Sequence, residues 1–269
     1  MTDFTMSRRD FLKGLGLSMV ASTFLMNGES EAESKADSGM SQVIPVLMYH
    51  GISACNGSEY MLTASFFAAQ MEWLYEQGYQ TLWFSDIDKG NIPARSIILT
   101  FDDGHASYID YALPLLEGYG FKSTMNVIGE FTGSFIPDDT VNMPILSWDE
   151  NRFLLKTGLV ELGCHSDRLH HFASKGVLGV SPDVLRADLR NFQKTIQQEV
   201  GVRPNVLAWP YGFYSGQTIE VAQQEGFKYL LTSKYGYMPT GGPFNEVPRL
   251  NIGCALTFPK FQYRIEGDV

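Results

Sequence analysis

The chain has 269 residues, enough for one barrel-sized domain or two small ones, and its 44% hydrophobic and 13% aromatic content supplies a sizeable core. A formal net charge of −10 argues against a nucleic-acid partner, because such proteins need a basic face to neutralise phosphates. Three cysteines, Cys55, Cys164 and Cys254, allow at most one disulfide and lack the spacing of a zinc knuckle.

Residues 1–36 read as an export signal and linker, leaving residues 37–269 for the folded domain. In "SRRDFLKGLGLSMVASTFLMNG", Arg8, Arg9 and Lys13 precede an apolar run of only about a dozen residues, short of the ~20 that span a bilayer. The Ser-Arg-Arg-x-Phe-Leu-Lys order resembles a twin-arginine signal, with a general secretory signal as the alternative. This predicts passage through the twin-arginine export machinery, a periplasmic or extracellular destination, and no stable membrane anchor after cleavage. "NGESEAESKADSGMSQ" is small, acidic and polar, as a linker is, with Ala32 and Ala36 as candidate cleavage positions. Twin-arginine export carries folded proteins, often because a metal or cofactor is already installed, so the signal is an indirect hint of a metal.

From about Val43 short β-rich runs alternate with amphipathic stretches. "VIPVLMY" predicts a strand, and "TASFFAAQMEWLYEQGY" a helix with Phe67, Met71 and Leu74 on one face and Gly78 as its stop. "TLWF" and "SIILTF" are the next strands. "ASYIDYALPLLEGYG" is a helix carrying a proline, "KSTMNVI" a strand, "SWDENRFLLKTG" a short helix and "LVELGC" a strand. In "SPDVLRADLRNFQKTIQQEVG", Ser181 caps a longer helix, Pro182 takes its first position, and Leu185, Leu189, Phe192 and Ile196 share a face. "NVLAW", "KYLLT" and "EVPRLNI" complete the strands, with "GQTIEVAQQEG" as a helix between the first two. About seven to eight strands that read as continuous apolar runs, alternating with helices, predict an α/β protein: a single irregular (β/α) barrel with parallel strands. An open doubly wound sheet is the alternative, disfavoured by the lack of a glycine-rich first turn.

A barrel of this kind places its chemistry at the C-terminal strand ends. There the sequence puts His50 after "VLMY", Asp102 and Asp103 after "ILTF", His165 after "ELGC", Trp209, Pro210, Tyr211 and Gly212 after "NVLA", and Arg249 at the last strand. One oxygen from Asp103 and two imidazole nitrogens from His165 and His170 would leave an open position for water, as catalytic zinc sites do; His171 is the alternative to His170. A metal would also explain why two carboxylates sit side by side, since it offsets their repulsion. Neighbouring residues at a strand end point in different directions, so Asp103 can ligate while Asp102 acts as general base. Trp209 either lines the site or fills the barrel, and His105 reads as a surface residue or one behind the ligands.

"TFDDG", "HSDRLH" and "WPYG", in this order, resemble the motifs of the polysaccharide deacetylases of the NodB-homology type, across nearly the whole mature chain. The resemblance implies Asp102 as base and Asp103, His165 and His170 as ligands of zinc or a similar divalent ion. It also implies that the backbone N–H of Tyr211 serves the oxyanion, with Trp209, Pro210 and Gly212 beside it at the substrate. Three departures stand out: four residues rather than three separate the histidines, Ala208 replaces an arginine, and no histidine follows His171. All three resemble the circularly permuted branch that deacetylates poly-β-1,6-N-acetylglucosamine, where "VLMYHG" would supply His50 as the acid. The first strand would then lie beside the last, letting Arg249 reach the site to orient Asp102 and making a Cys55–Cys254 pairing conceivable.

The expected activity is hydrolysis of N-acetyl groups on an acetylated polysaccharide, an N-acetylglucosamine polymer. The alternatives are an O-acetyl esterase, a deacetylase of peptidoglycan or chitin-type chains, and, from another class, a non-catalytic glycan-binding protein on the same scaffold.

Overall fold

A computed structural model describes residues 43–54, 59–90, 92–137, 142–171 and 173–267. The expected export signal and linker over residues 1–36 lie outside these residues, as does Cys55.

Pro45, which has no N–H to donate, divides the first apolar run into β1 (Val43–Ile44) and β2 (Val46–Tyr49). β3 (Gly51–Ile52) and β4 (Met61–Leu62) pair with each other in parallel. Helix α1 (Ala64–Glu76) starts at Thr63, whose hydroxyl accepts the Phe66 N–H, and it buries Phe67, Met71 and Leu74 as its periodicity predicts.

β5 (Gln80–Thr81) is shorter than "TLWF" suggests. Trp83 leaves the sheet because its N–H donates to Asp86 and its indole N–H to the carbonyls of Ser123 and Leu159. The Phe84 N–H donates to Glu161, and the chain turns into the short helix α2 (Phe84–Ile87). β6 (Ser96–Phe101) follows, buried along its whole length.

The proline-bearing helix has two parts, a π-helical segment Tyr108–Ala112 and then α3 (Leu113–Tyr119). Pro114 cannot donate to the carbonyl four residues back and its ring crowds that carbonyl, so a wider turn, closed by Leu113 N–H on Tyr108 O, relieves the conflict. β7 (Ser123–Val127), α4 (Trp148–Lys156), β8 (Val160–Cys164) and α5 (Pro182–Val200) come next. The Ser181 hydroxyl caps α5 by accepting the Val184 N–H, and Leu185, Leu189, Phe192 and Ile196 are buried. The remaining elements are β9 (Val206–Ala208), α6 (Gly216–Gln224), β10 (Tyr229–Leu231), β11 (Met238–Pro239), β12 (Leu250–Asn251) and α7 (Phe258–Glu266). The sequence pattern leaves β11 and α7 unassigned. β11 pairs antiparallel with β1, and α7 brings Phe258 and Phe261 against Phe66 and Trp73 of α1.

The main sheet runs β10-β9-β8-β7-β6-β2-β12, with every pair parallel and β5 added against the start of β6. It curls into the expected irregular (β/α) barrel. An isolated parallel bridge, Leu231 to Val247, links β10 to the segment approaching β12, and β12 lies beside β2, so the first long strand neighbours the last. One apolar cluster joins Ile44, Val46, Ile98, Val206, Tyr229 and Leu231 to Leu82, Phe84 and Ile87 from the turn after β5. Each such side chain contributes about 1.5–3 kcal/mol on burial, before entropy is counted. Cys254 is disulfide-bonded, while Cys164 is a buried free thiol at the end of β8. Among the described residues no helix is long and apolar enough to cross a membrane.

Candidate active site

The C-terminal ends of the strands open into one cavity of about 570 Å³. His50 enters from the end of β2, Asp102 and Asp103 from β6, His165 from β8, and Trp209, Tyr211 and Gly212 from β9. Left-handed backbone recurs at these exits, with φ of 73° at Asp103, 72° at Ser166 and 56° at Tyr211. Non-glycine residues avoid this region, and its concentration here marks places where the chain is bent to aim side chains. Gly212 is also left-handed, and a Cβ on it would collide with the Ser233 hydroxyl.

Arg249 corrects one expectation. It lies not at the C-terminal end of the last strand but one residue before β12, where Leu250 is in register with Leu47. Its long side chain makes up the difference. Nε donates to Thr232 O at 2.9 Å, one terminal nitrogen to Thr100 Oγ1 at 3.1 Å and Asp102 Oδ1 at 2.9 Å, and the other to Asp102 Oδ2 at 2.8 Å. Both partners are almost wholly buried. Burial by itself would raise the Asp102 pKa, but the charge and bonds of Arg249 outweigh it and hold the group well below its ordinary value. Asn126 of β7, which the motifs did not single out, adds a third donor: its Nδ2 reaches Asp102 Oδ1 at 2.7 Å.

Asp103 has different surroundings. Its Oδ1 lies 3.4 Å from His165 Nε2 and 3.3 Å from His170 Nε2, and one ligand atom from each of the three residues lies within 4.8 Å of the others. Two atoms bound at 2.0–2.2 Å to one tetrahedral ion are ~3.4 Å apart, so these residues fit a divalent metal. Asp103 Oδ1 is buried with no hydrogen-bond partner among the described residues, as expected of an acceptor aimed at a cation. Among the described residues this is the one group of three or more His, Cys or carboxylate side chains so arranged. Burial favours the neutral form of Asp103, yet contacts with His105, His165 and His170 carry its pKa far below the usual range.

The ring nitrogens behind the group are held. His165 Nδ1 lies 2.8 Å from Ala208 O, and His170 Nδ1 lies 3.2 Å from the Tyr211 phenol oxygen, so both rings turn Nε2 toward Asp103. The Tyr211–His170 contact is made by the phenol, whereas the family motif bears only on the Tyr211 backbone. His171 faces Glu130 at 3.3 Å and is half exposed, so the structure brings His170 and not His171 to Asp103. Asp188 of α5 pins the intervening loop by accepting the N–H groups of Asp167 at 2.9 Å and Arg168 at 2.7 Å. His105 is buried, with Nε2 3.5 Å from Asp103 Oδ2, which places it behind the carboxylate rather than at the surface.

His50 stacks obliquely on the exposed Tyr60, ring centroids 4.8 Å apart. Burial pushes its pKa down, opposed by the charges of Asp103 and Asp102. Trp209 both fills space and lines the cavity: it is 1% exposed, at the cavity wall, and nearly parallel to Tyr214.

Known proteins resemble this chain in sequence and fold. The poly-beta-1,6-N-acetyl-D-glucosamine N-deacetylase of Staphylococcus aureus (strain MSSA476) is 26% identical over 200 residues, covering 72% of this chain and 68% of that one. The enzyme of the same name from Escherichia coli (strain K12) is 23% identical over 230 residues, covering 73% of this chain but only 34% of that longer protein. The solved structure of IcaB from Ammonifex degensii superposes with a TM-score of 0.73 at 22% identity, over 84% of this chain and 98% of that one. Residues 89–230 match the family described as polysaccharide deacetylase, a span that holds both carboxylates, both histidines and Tyr211 but neither His50 nor Arg249. The chain belongs to the polysaccharide deacetylase family.

Proposed function

We propose that the protein is a metal-dependent N-deacetylase of an N-acetylglucosamine polymer, exported by the twin-arginine route to act in the periplasm or outside the cell. The observation that carries the reading is the pairing of two adjacent carboxylates in opposite environments, Asp102 gripped by Arg249 and Asn126, and Asp103 aimed with two imidazoles at one point. The names of the curated relatives support the β-1,6-linked polymer as substrate.

Asp103, His165 and His170 would hold the ion, zinc in this proposal, which would polarise the acetyl carbonyl and acidify the attacking water. Asp102 takes a proton from that water as it attacks. The Tyr211 backbone N–H is assigned to the developing oxyanion, where one well-placed donor contributes about 3–4 kcal/mol. His50 is assigned to protonate the departing amine. Arg249 orients Asp102, and Trp209, Pro210 and Gly212 form the wall that receives the acetylated sugar.

The reading is tested by measuring acetate release from β-1,6-linked N-acetylglucosamine oligomers, chitin oligomers and O-acetylated xylan, with and without chelator, beside elemental analysis of the purified protein. We expect chelator-sensitive release from the β-1,6 oligomers. Release from xylan alone would make the protein an esterase, and bound metal with no release from any glycan would make it a binding protein.

A further inference from the structure

The interior of a parallel sheet rarely spends a position on an amide, yet β7 carries one in "STMNV". Asn126 is fully buried, and its Nδ2 donates to Asp102 Oδ1 at 2.7 Å. The reverse orientation of the amide would set its carbonyl oxygen against a carboxylate held ionised by two bonds from Arg249, so hydrogen-bond chemistry selects this one.

We infer that Asn126 is a positioning residue that decides which oxygen of Asp102 faces the attacking water. The inference rests on the reading of Asp102 as base. A carboxylate oxygen offers about two acceptor directions. Oδ1 accepts from Arg249 at 2.9 Å and from Asn126 at 2.7 Å, so both are taken. Oδ2 accepts from Arg249 at 2.8 Å and keeps one, on a residue that lines the cavity. Without Asn126 the carboxylate would offer two competing sites, and the water would be held in two poses rather than one.

Two further observations fit this role. The Asn126 Oδ1 atom is buried with no hydrogen-bond partner among the described residues, so what the amide supplies is its Nδ2 bond to Asp102. In register across β8 stands Gly163, where a Cβ would collide with that same Oδ1. Gly163 has no left-handed backbone to account for it. What it supplies is room for the amide.

The test compares Asn126→Leu, Gly163→Ala and Asp102→Asn with wild type, using a short β-1,6-linked N-acetylglucosamine oligomer. kcat, KM, bound metal and melting temperature are read for each. We expect Asn126→Leu to lower kcat about 10- to 100-fold, as a misplaced reacting group does, while KM, bound metal and melting temperature stay near wild type. Gly163→Ala, which displaces the amide without removing it, should shift kcat in the same direction by less, and it serves should Asn126→Leu not fold. Unchanged kcat in both, while Asp102→Asn abolishes turnover, would overturn the role of Asn126 and leave Asp102 as base. A kcat that falls only in step with lost metal and melting temperature would also overturn it. Wild-type kcat in Asp102→Asn would instead remove the base assignment itself, and the inference with it.

Discussion

The two walls of the cavity are built on opposite terms. On the β6–β7–β12 side every donor of consequence is spent: Arg249 bonds Thr232, Thr100 and both oxygens of Asp102, and Asn126 completes one of those oxygens. Where Asp103 faces His165 and His170, acceptors are brought together without satisfying one another, and Asp103 Oδ1 has no hydrogen-bond partner among the described residues. Adjacent residues therefore differ in what they can do. A carboxylate gripped by three donors keeps its charge and one open direction, which suits a base, whereas a carboxylate facing two imidazole nitrogens fits a cation.

Breaking the metal wall should have the largest effect. Asp103→Ala and His165→Ala should each lose bound metal and all measurable deacetylation, by elemental analysis and acetate release. Asp102→Asn should keep the metal and lose turnover by about 10²- to 10⁴-fold, the usual worth of a positioned base. Arg249→Leu strands a buried carboxylate and should lower stability by about 3–5 kcal/mol in denaturant titration. Tyr211→Phe sharpens the contrast further. It deletes the phenol behind His170 but keeps the backbone N–H, so metal affinity should fall about 10- to 100-fold while kcat at saturating metal holds.

A further contrast concerns the loop that carries the histidines. Burial raises the Asp188 pKa from 3.8 to about 6, so the folded protein binds this proton more tightly than the unfolded chain does. Its contribution to stability is full below the unfolded value and is lost as pH climbs through about 6, amounting to on the order of 3 kcal/mol. Asp188→Asn removes that dependence. Its stability relative to wild type should rise between pH 4 and pH 7; a flat difference would show that Asp188 does not titrate there.

The motif residues were legible because chemistry fixes them at strand ends, and long apolar runs such as "SIILTF" declare the strands they end. What escaped notice depends on contacts between distant segments. "TLWF" ends early as a strand because Glu161, 77 residues beyond Phe84, captures its N–H. The two-residue pairs β3–β4 and β1–β11 have too little pattern to announce themselves. α7, opened by Thr257 with a proline in its first turn, is amphipathic in the ordinary way and was simply not assigned. Asn126 carried a signal, an amide inside a buried strand, but only the register between β6, β7 and β8 says what it touches. The choice between His170 and His171 likewise needed the loop geometry that Asp188 imposes.

The guanidinium that grips Asp102 comes from 147 positions further along the polypeptide. Until the final strand docks, the middle of the chain carries its two acidic side chains without their counter-charge. A contact this remote closes a long loop, which adds to the entropic cost of folding. The site is therefore complete only with the last strand in place, since the segment leading into it supplies the counter-charge of Asp102.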